Sequence, residues 1–418
     1  MGTEGSKDNR KLDQQLLESY VSFPFLQSLD GKVVACTGAT VGSLGYYVAL
    51  TAIAKGARAI VLLNREGNRA IEAENGLKSF AQDMHESANN GDESTELCEI
   101  KTFYCELTSL FWVKSAVAGA QDFVKKFGGL DVLINCAGVA GLPDIRTTDG
   151  YDVQMQTNYL SHAFLTMLLM DVLDMAAESR SEARIVFITC PSRGIPKKML
   201  RTKYLETSPP GELGGDNPWL VGDLVQRKGP FSRYQQSKLA CSCFGMALHM
   251  KLKNAGSKVK VLVVDPGCVN TSLTSRAKND GVMSDTFSNI LKYISKEPAA
   301  GVVPILVASF GPNESCQSGD FFLPCDLSTG LPVKSVSAGV PVKKGAEKLS
   351  CHPVNLSNIW TATEKALNVD FENRGPDGKI RIGVRESPKV VKSTLGDTMT
   401  DVVLVPSPKD ENDDSSTS

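Results

Sequence analysis

The sequence predicts an α/β fold, a doubly wound parallel sheet in a single domain with insertions. Three observations predict it. Short apolar runs alternate with longer amphipathic stretches between residues 32 and 265, the rhythm of βαβ units. Some runs, such as Ala-Ile-Val-Leu-Leu at 59–63 and Val-Leu-Val-Val at 261–264, are apolar throughout. Strands read that way when both faces are buried under helices. The first run also leads directly into a glycine-rich turn and then a helix.

Composition narrows the class. A chain of 418 residues exceeds one average domain, but an α/β domain with insertions reaches that length. A net charge of -2 gives no global attraction to nucleic acid or anionic lipid, so no nucleic-acid partner is expected. Eleven cysteines are scattered without a Cys-x-x-Cys pair, and four histidines are too few to suggest a zinc site, so no metal is expected. Free thiols of this kind suit a reducing compartment. No basic segment followed by an apolar run opens the chain, so no signal peptide is expected. The longest apolar stretch, around Phe164 to Leu173, is interrupted by Asp171 and is too short for a transmembrane segment. Cytoplasm is the default location, with peripheral membrane association left open.

Residues 1–29 read as an N-terminal arm, polar apart from Tyr20 to Leu26. The domain then spans 30–370. Lys32 to Thr37 is a strand, Leu44 to Lys55 a helix, Ala59 to Leu63 a strand and Arg69 to Glu86 a helix. Polar Ser87 to Glu96 is a surface loop. Glu99 to Cys105 is a strand, Leu110 to Phe127 a helix, and Asp131 to Asn135 a strand. Tyr151 to Met175 reads as one long helix, Arg184 to Thr189 as a strand, Ser232 to Asn254 as a helix and Lys258 to Asp265 as a strand. The stretch from 191 to 230, rich in Pro, Gly and charge, is an insertion expected to fold over the open end of the sheet. Residues 371–418 are polar and read as a largely disordered tail.

The turn Thr37-Gly38-Ala39-Thr40-Val41-Gly42-Ser43-Leu44-Gly45 follows the first strand. Glycines at that place let the backbone turn tightly and approach a pyrophosphate, while the next helix offers free N–H groups and a positive dipole end. The second strand ends at Asn64-Arg65. An acidic residue there would favour NAD(H); Arg65 can instead pair with a 2′-phosphate, so NADP(H) is the expected cofactor. Downstream, Tyr234-Gln235-Gln236-Ser237-Lys238 opens a helix. A spacing of four puts Tyr234 and Lys238 on one face. An ammonium there, with an oxidised nicotinamide, would lower the phenol's pKa and fit it for proton transfer.

The order of these motifs resembles the short-chain dehydrogenase/reductase family, a Rossmann-like fold. The turn is followed by Asn135-Cys136-Ala137-Gly138, Asn158, Tyr234 with Lys238, and Asp265-Pro266-Gly267 with Thr271. The run Asn158-Tyr159-Leu160-Ser161-His162-Ala163 and the late Ser318-Gly319-Asp320-Phe321-Phe322 resemble its retinol-dehydrogenase-like branch. So does Ile359-Trp360 in a final helix. The resemblance implies that Gly38, Gly42 and Gly45 surround the pyrophosphate. Glu106 and Leu107 would meet the adenine, and Asn135, Ala137 and Gly138 would line the cofactor. Lys238 would bond the nicotinamide ribose, Asn158 would hold a water in a proton relay, and Pro266, Gly267 and Thr271 would face the carboxamide.

Three features depart from that pattern. Ser43 and Leu44 both stand between the second and third glycines, where the family has one residue. Glu106 replaces an aspartate. Cys190 occupies the position of the catalytic serine, and a thiol is a weak donor. A nearby hydroxyl, Thr189 or Ser192, is then needed, and Ser192 lies just beyond the strand end. The segment from Cys190 to Tyr234 is also longer than the family's, with Trp219 and Phe231 as candidate apolar walls. The expected function is an NADP(H)-dependent oxidoreductase acting on a small-molecule alcohol or carbonyl, with a retinoid, steroid or lipid aldehyde suggested by the branch. The alternative is a nucleotide-binding pseudoenzyme, a sensor or scaffold, which Cys190 favours and Tyr234, Lys238 and Asn158 oppose. A homo-oligomer is expected by family analogy alone.

Overall fold

The computed structural model describes residues 26–89, 96–194, 199–209, 230–269, 298–324, 342–344, 347–372 and 381–384. Thr271, Trp219 and most of the expected arm and tail lie outside them. Leu26 and Leu29, at the end of the arm, are buried, and the Gln27 N–H donates to the Phe310 carbonyl.

Strands β1 (Val33–Thr37), β2 (Ala59–Asn64), β3 (Glu99–Tyr104), β4 (Val132–Asn135), β5 (Ala183–Ile188), β6 (Val259–Val264) and β7 (Phe321–Leu323) are all parallel. A short antiparallel strand, β8 (Val342–Lys344), closes the far edge, giving the order β3-β2-β1-β4-β5-β6-β7-β8. β1, β2, β4 and β5 are buried throughout, which is why their residues are apolar without alternation. β3 has β2 as its one neighbour in the sheet and keeps polar residues facing out.

Helices cover both faces. α1 (Leu44–Ala54), α2 (Asn68–Asn89) and α7 (Pro298–Phe310) enclose one core with β-strand residues such as Ile60, Ile134 and Val264. On the other face lie α3 (Leu110–Lys125), α4 (Val153–Leu168), α5 (Met170–Arg180), α6 (Pro230–Asn254) and α8 (Pro353–Leu367). Two buried charge clusters fasten these layers. Asp131 accepts from the Val33 N–H at 2.8 Å and from Arg180 at 2.6 and 2.9 Å, joining β1 to the end of α5. Arg184 donates to the Ala308 and Ser309 carbonyls at the end of α7 and pairs with Glu182.

Two expectations are corrected. Tyr151 to Met175 is not one helix. α4 widens to a π-turn at Gln156–Leu160, ends at Leu169, and meets α5 at 56°. Hydrophobic spacing hides this, because both pieces are buried and apolar on nearly every side. No single helix among the described residues is long and apolar enough to cross a membrane. Second, the tail is not structureless from residue 371. β9 (Val369–Glu372) pairs antiparallel with β10 (Arg381–Val384), so backbone pairing compensates for polar composition. α2 also runs on to Asn89, into the stretch expected to be loop.

Candidate active site

Strand order reverses between β1 and β4, and the candidate residues gather at the carboxyl ends of the strands on either side. The glycine turn comes off β1. Gly38 (φ 71°) and Gly42 (φ 76°) adopt left-handed conformations that favour glycine. A Cβ on Gly38 would stand 2.9 Å from Ala137, and one on Gly45 would crowd Cys36 and Ala39 at 3.0 and 3.1 Å. Only Gly42 of the three opens outward, with nothing within 4 Å of a built Cβ. Gly38 thus permits closure onto the Ala137 turn, Gly45 seats α1 on β1, and Gly42 leaves room above the backbone. The extra residue is absorbed as a cap. Ser43 Oγ accepts from the Thr40 and Tyr46 N–H groups and donates to the Gly38 carbonyl at 2.9 Å.

Thr37 holds the neighbouring turn. Its Oγ1 accepts from the Cys136 and Ala137 N–H groups, both at 2.9 Å, and lies 2.9 Å from His162 Nε2. His162 Nδ1 stands 2.9 Å from the Asn158 carbonyl and must donate to it. Nε2 is then the acceptor and Thr37 the donor, which assigns the neutral tautomer. Burial pushes the imidazole down to about 4, helped by Lys238 and opposed by the bond to Asn158.

Asn158 lies inside the π-turn, a deformation often found at functional sites. Its Oδ1 accepts from the Val139 N–H at 2.7 Å, and Nδ2 donates to the Val139 carbonyl and to Ser237 Oγ, both at 2.9 Å. The observed work of this side chain is to clamp the turn after β4 onto α6. Asn135 Nδ2 donates to Thr166 Oγ1 at 2.9 Å and ties β4 to α4.

Tyr234 stands in the first turns of α6, half-buried, with its hydroxyl bonded to the Cys190 thiol. Cys190 Sγ is 2.8 Å from Ser192 Oγ, so phenol, thiol and hydroxyl form a chain beyond β5. Thr189 is not part of it; its hydroxyl donates to the Lys238 carbonyl at 2.8 Å. The Lys238 ammonium donates to the Ile188 carbonyl at 3.1 Å and would lie 3.4 Å from a Cβ on Gly138. The sequence predicts a depressed phenol, but the structure holds it well above its ordinary range. Burial is the main cause, followed by Cys190 and Asp265.

Beside the site, Arg193 pairs with Asp265 and with Glu347 (2.8 Å), and donates to the Cys190 carbonyl at 2.6 Å. Asp265 Oδ1 accepts from the Gly267 N–H at 2.8 Å and shapes the Pro266-Gly267 turn. Among the cofactor candidates, Arg65 is 69% exposed and 4.0 Å from Glu106. Glu106 also accepts from the Thr108 N–H, and the Leu107 carbonyl accepts from Ser161 Oγ. Arg69 reaches Thr40 Oγ1 at 3.1 Å, on the glycine turn itself.

The family model for short chain dehydrogenases matches residues 32–199. Polyprenol dehydrogenase of Danio rerio is 31% identical over 259 residues, 62% of this chain and 68% of that protein. The chain is a short-chain dehydrogenase/reductase. Human retinol dehydrogenase 14 is 29% identical over 306 residues, 73% of this chain and 81% of that protein, which places it in the retinol-dehydrogenase-like branch. A solved structure of an uncharacterized Mycobacterium paratuberculosis protein shares the fold, with TM-score 0.53 and 21% identity over 82% of this chain and 95% of that one.

A short-chain dehydrogenase/reductase is an oxidoreductase whose fold binds a nicotinamide cofactor. The residues present fit one. Gly42 leaves open space where a side chain would stand, and Gly138 leaves a cradle that a Cβ would fill against Asn158 and Lys238. Sequence reasoning missed Arg69, Thr37, His162 and the Arg193–Asp265–Glu347 cluster. Ser43 carried a legible signal, a serine preceding an apolar helix, and was read only as an insertion.

The buried imidazole makes stability pH-dependent. A histidine whose folded pKa is about 4 against 6.5 unfolded is protonated first in the unfolded chain, so its contribution is intact above pH 6.5 and lost as pH falls toward 4. The loss expected from this group is about 3 kcal/mol. Urea unfolding at pH 7 and pH 4 should show His162→Gln losing less stability than the native protein by that margin. Parallel losses would mean His162 is not held neutral.

Proposed function

We propose that this oxidoreductase is an NADP(H)-dependent alcohol dehydrogenase or carbonyl reductase. Its substrate would be an apolar alcohol, aldehyde or ketone of the retinoid, steroid or lipid-aldehyde kind. One observation carries the reading: the Tyr234 phenol meets the Cys190–Ser192 pair at the end of β5, with Lys238 one helical turn away and facing the Gly138 cradle. The relatives named retinol and polyprenol dehydrogenase support an apolar substrate. Residues 191–230 would cover it, with Phe231 at their edge.

When bound, the dinucleotide gives or takes the hydride at its nicotinamide ring. Gly38, Gly42, Gly45 and the α1 N-terminus would receive the pyrophosphate. Arg65, with Arg69 beside it, would pair with the 2′-phosphate. Glu106 and Leu107 would flank the adenine, Asn135, Ala137 and Gly138 would line the floor, and Pro266, Gly267 and Thr271 would face the carboxamide. Lys238 would turn from the Ile188 carbonyl to the nicotinamide ribose.

In reduction, Tyr234 donates its phenolic proton to the substrate oxygen as hydride reaches the carbon. Ser192 and Cys190 hold that oxygen, and Asn158 holds the turn and helix around the proton path. A phenol raised above its ordinary range is neutral at physiological pH and ready to donate. Carbonyl reduction should therefore be flat through the neutral range, while alcohol oxidation, which needs the phenolate, should climb with pH.

Three measurements test this. NADPH oxidation with decanal should fall about 100-fold or more in Tyr234→Phe, and equal rates would remove the phenol from the chemistry and favour a cofactor-binding scaffold. Cys190→Ser, restoring a good donor, should raise turnover about ten-fold, and Ser192→Ala should lower it by a similar factor. A Ser192→Ala enzyme at full rate would leave the thiol as the oxygen's partner. Arg65→Asp should shift the ratio of kcat/KM values toward NADH about ten-fold or more, and an unchanged ratio would assign the 2′-phosphate elsewhere.

A further inference from the structure

Arg233 immediately precedes Tyr234. Its side chain is 1% exposed and pairs with the carboxylate of Asp152, which is 0% exposed, with Nε 3.0 Å from Oδ2. Nη2 also donates to the Leu142 carbonyl at 3.0 Å. The other Asp152 oxygen accepts from the Gln154 and Met155 N–H groups at 3.1 and 2.9 Å and caps α4. One buried ion pair therefore joins the first turn of the helix carrying Tyr234 and Lys238 to the first turn of the helix carrying Asn158. Further along the same contact, Asn158 Nδ2 meets Ser237 Oγ at 2.9 Å and the Cys241 thiol donates to the Asn158 carbonyl at 3.1 Å.

Stability alone is a poor reason to bury such a pair. Both ions lose their hydration, and apolar residues of equal volume hold two helices as well or better. A directional pair adds register, since apolar surfaces can slide and a guanidinium on a capping carboxylate cannot. A second pair, Arg146 with Asp144, borders the joint, and Arg146 also donates to the Ser208 hydroxyl and the Pro209 carbonyl, both at 2.9 Å. The near end of the insertion is thereby fastened to the same place.

We propose that Arg233 and Asp152 are a positioning pair. They set α6 against α4, and so place Tyr234 and Lys238 against Asn158 and the Gly138 turn without touching substrate. This rests on the oxidoreductase reading above, and two readouts separate the two. The first is turnover of decanal with NADPH. The second is the iodoacetamide labelling rate of Cys241 in the native protein, followed by mass spectrometry, because that buried thiol lies in the helix–helix contact and is reached when the contact opens.

Arg233→Ala should lower kcat about ten-fold or more, leave KM for NADPH within about two-fold, and speed Cys241 labelling about ten-fold. Arg233→Lys should recover most of both. Asp152→Asn keeps an oxygen for the cap while removing the charge, and should show the same signature if the alanine variant does not fold. Unchanged kcat in a folded variant overturns the proposal, whether or not labelling moves. A lower kcat with unchanged labelling overturns it too, since the effect would not pass through the helix contact. If the native protein turns over no decanal, the fault lies with the oxidoreductase reading, and labelling alone decides whether the pair holds the helices.

Discussion

The Thr37 hydroxyl is the point on which the site depends. It accepts two backbone N–H groups from the turn after β4 and donates its own proton to His162 on α4. Three elements distant in sequence are thereby brought to one oxygen. The glycine turn begins at the next residue, so the same bonds fix where the turn leaves the sheet. Each donor and acceptor is used once, which requires a neutral imidazole of a single tautomer. Burial, which keeps the ring uncharged, is thus part of the geometry.

From this point the site extends in two directions. Toward the sheet, Gly38 closes against Ala137 and Ser43 caps α1, so a turn one residue longer than the family's keeps a glycine facing outward. Toward the substrate side, Asn158 clamps Val139 and Ser237, and α6 delivers Tyr234 to Cys190. The thiol in the usual serine position is not isolated. It passes its contact on to Ser192 and is anchored through its own carbonyl by Arg193.

Much of this was legible in the sequence because the relevant signals are local. Apolar runs without alternation gave every parallel strand up to β6 to within a residue or two, since burial on both faces leaves no other composition. Tyr234 and Lys238 were legible from spacing, and Cys190 from its place at a strand end. What escaped was set by tertiary partners. The bend at Leu169 cannot be seen in a stretch that is buried on nearly every side. The hairpin of β9 and β10 rests on backbone pairing in a polar segment. The direction of the Tyr234 shift was missed because Lys238 spends its charge on the Ile188 carbonyl, leaving burial to dominate. Arg193, Asp265 and Glu347 are far apart in the chain, and no spacing announces their meeting.

The order of the sheet also bears on how the chain is made. β1 lies between β2, which follows soon after it, and β4, whose neighbouring Asp131 is 98 residues from its partner Val33. A ribosome adding about 5–20 residues per second leaves the β4-facing side of β1 unpaired for roughly 5–20 s. Through that interval the nascent chain carries an open ladder lined with apolar side chains, the kind of surface that sticks to other chains. Demand for chaperones during synthesis should therefore peak before β4 emerges and fall once the centre of the sheet is sealed.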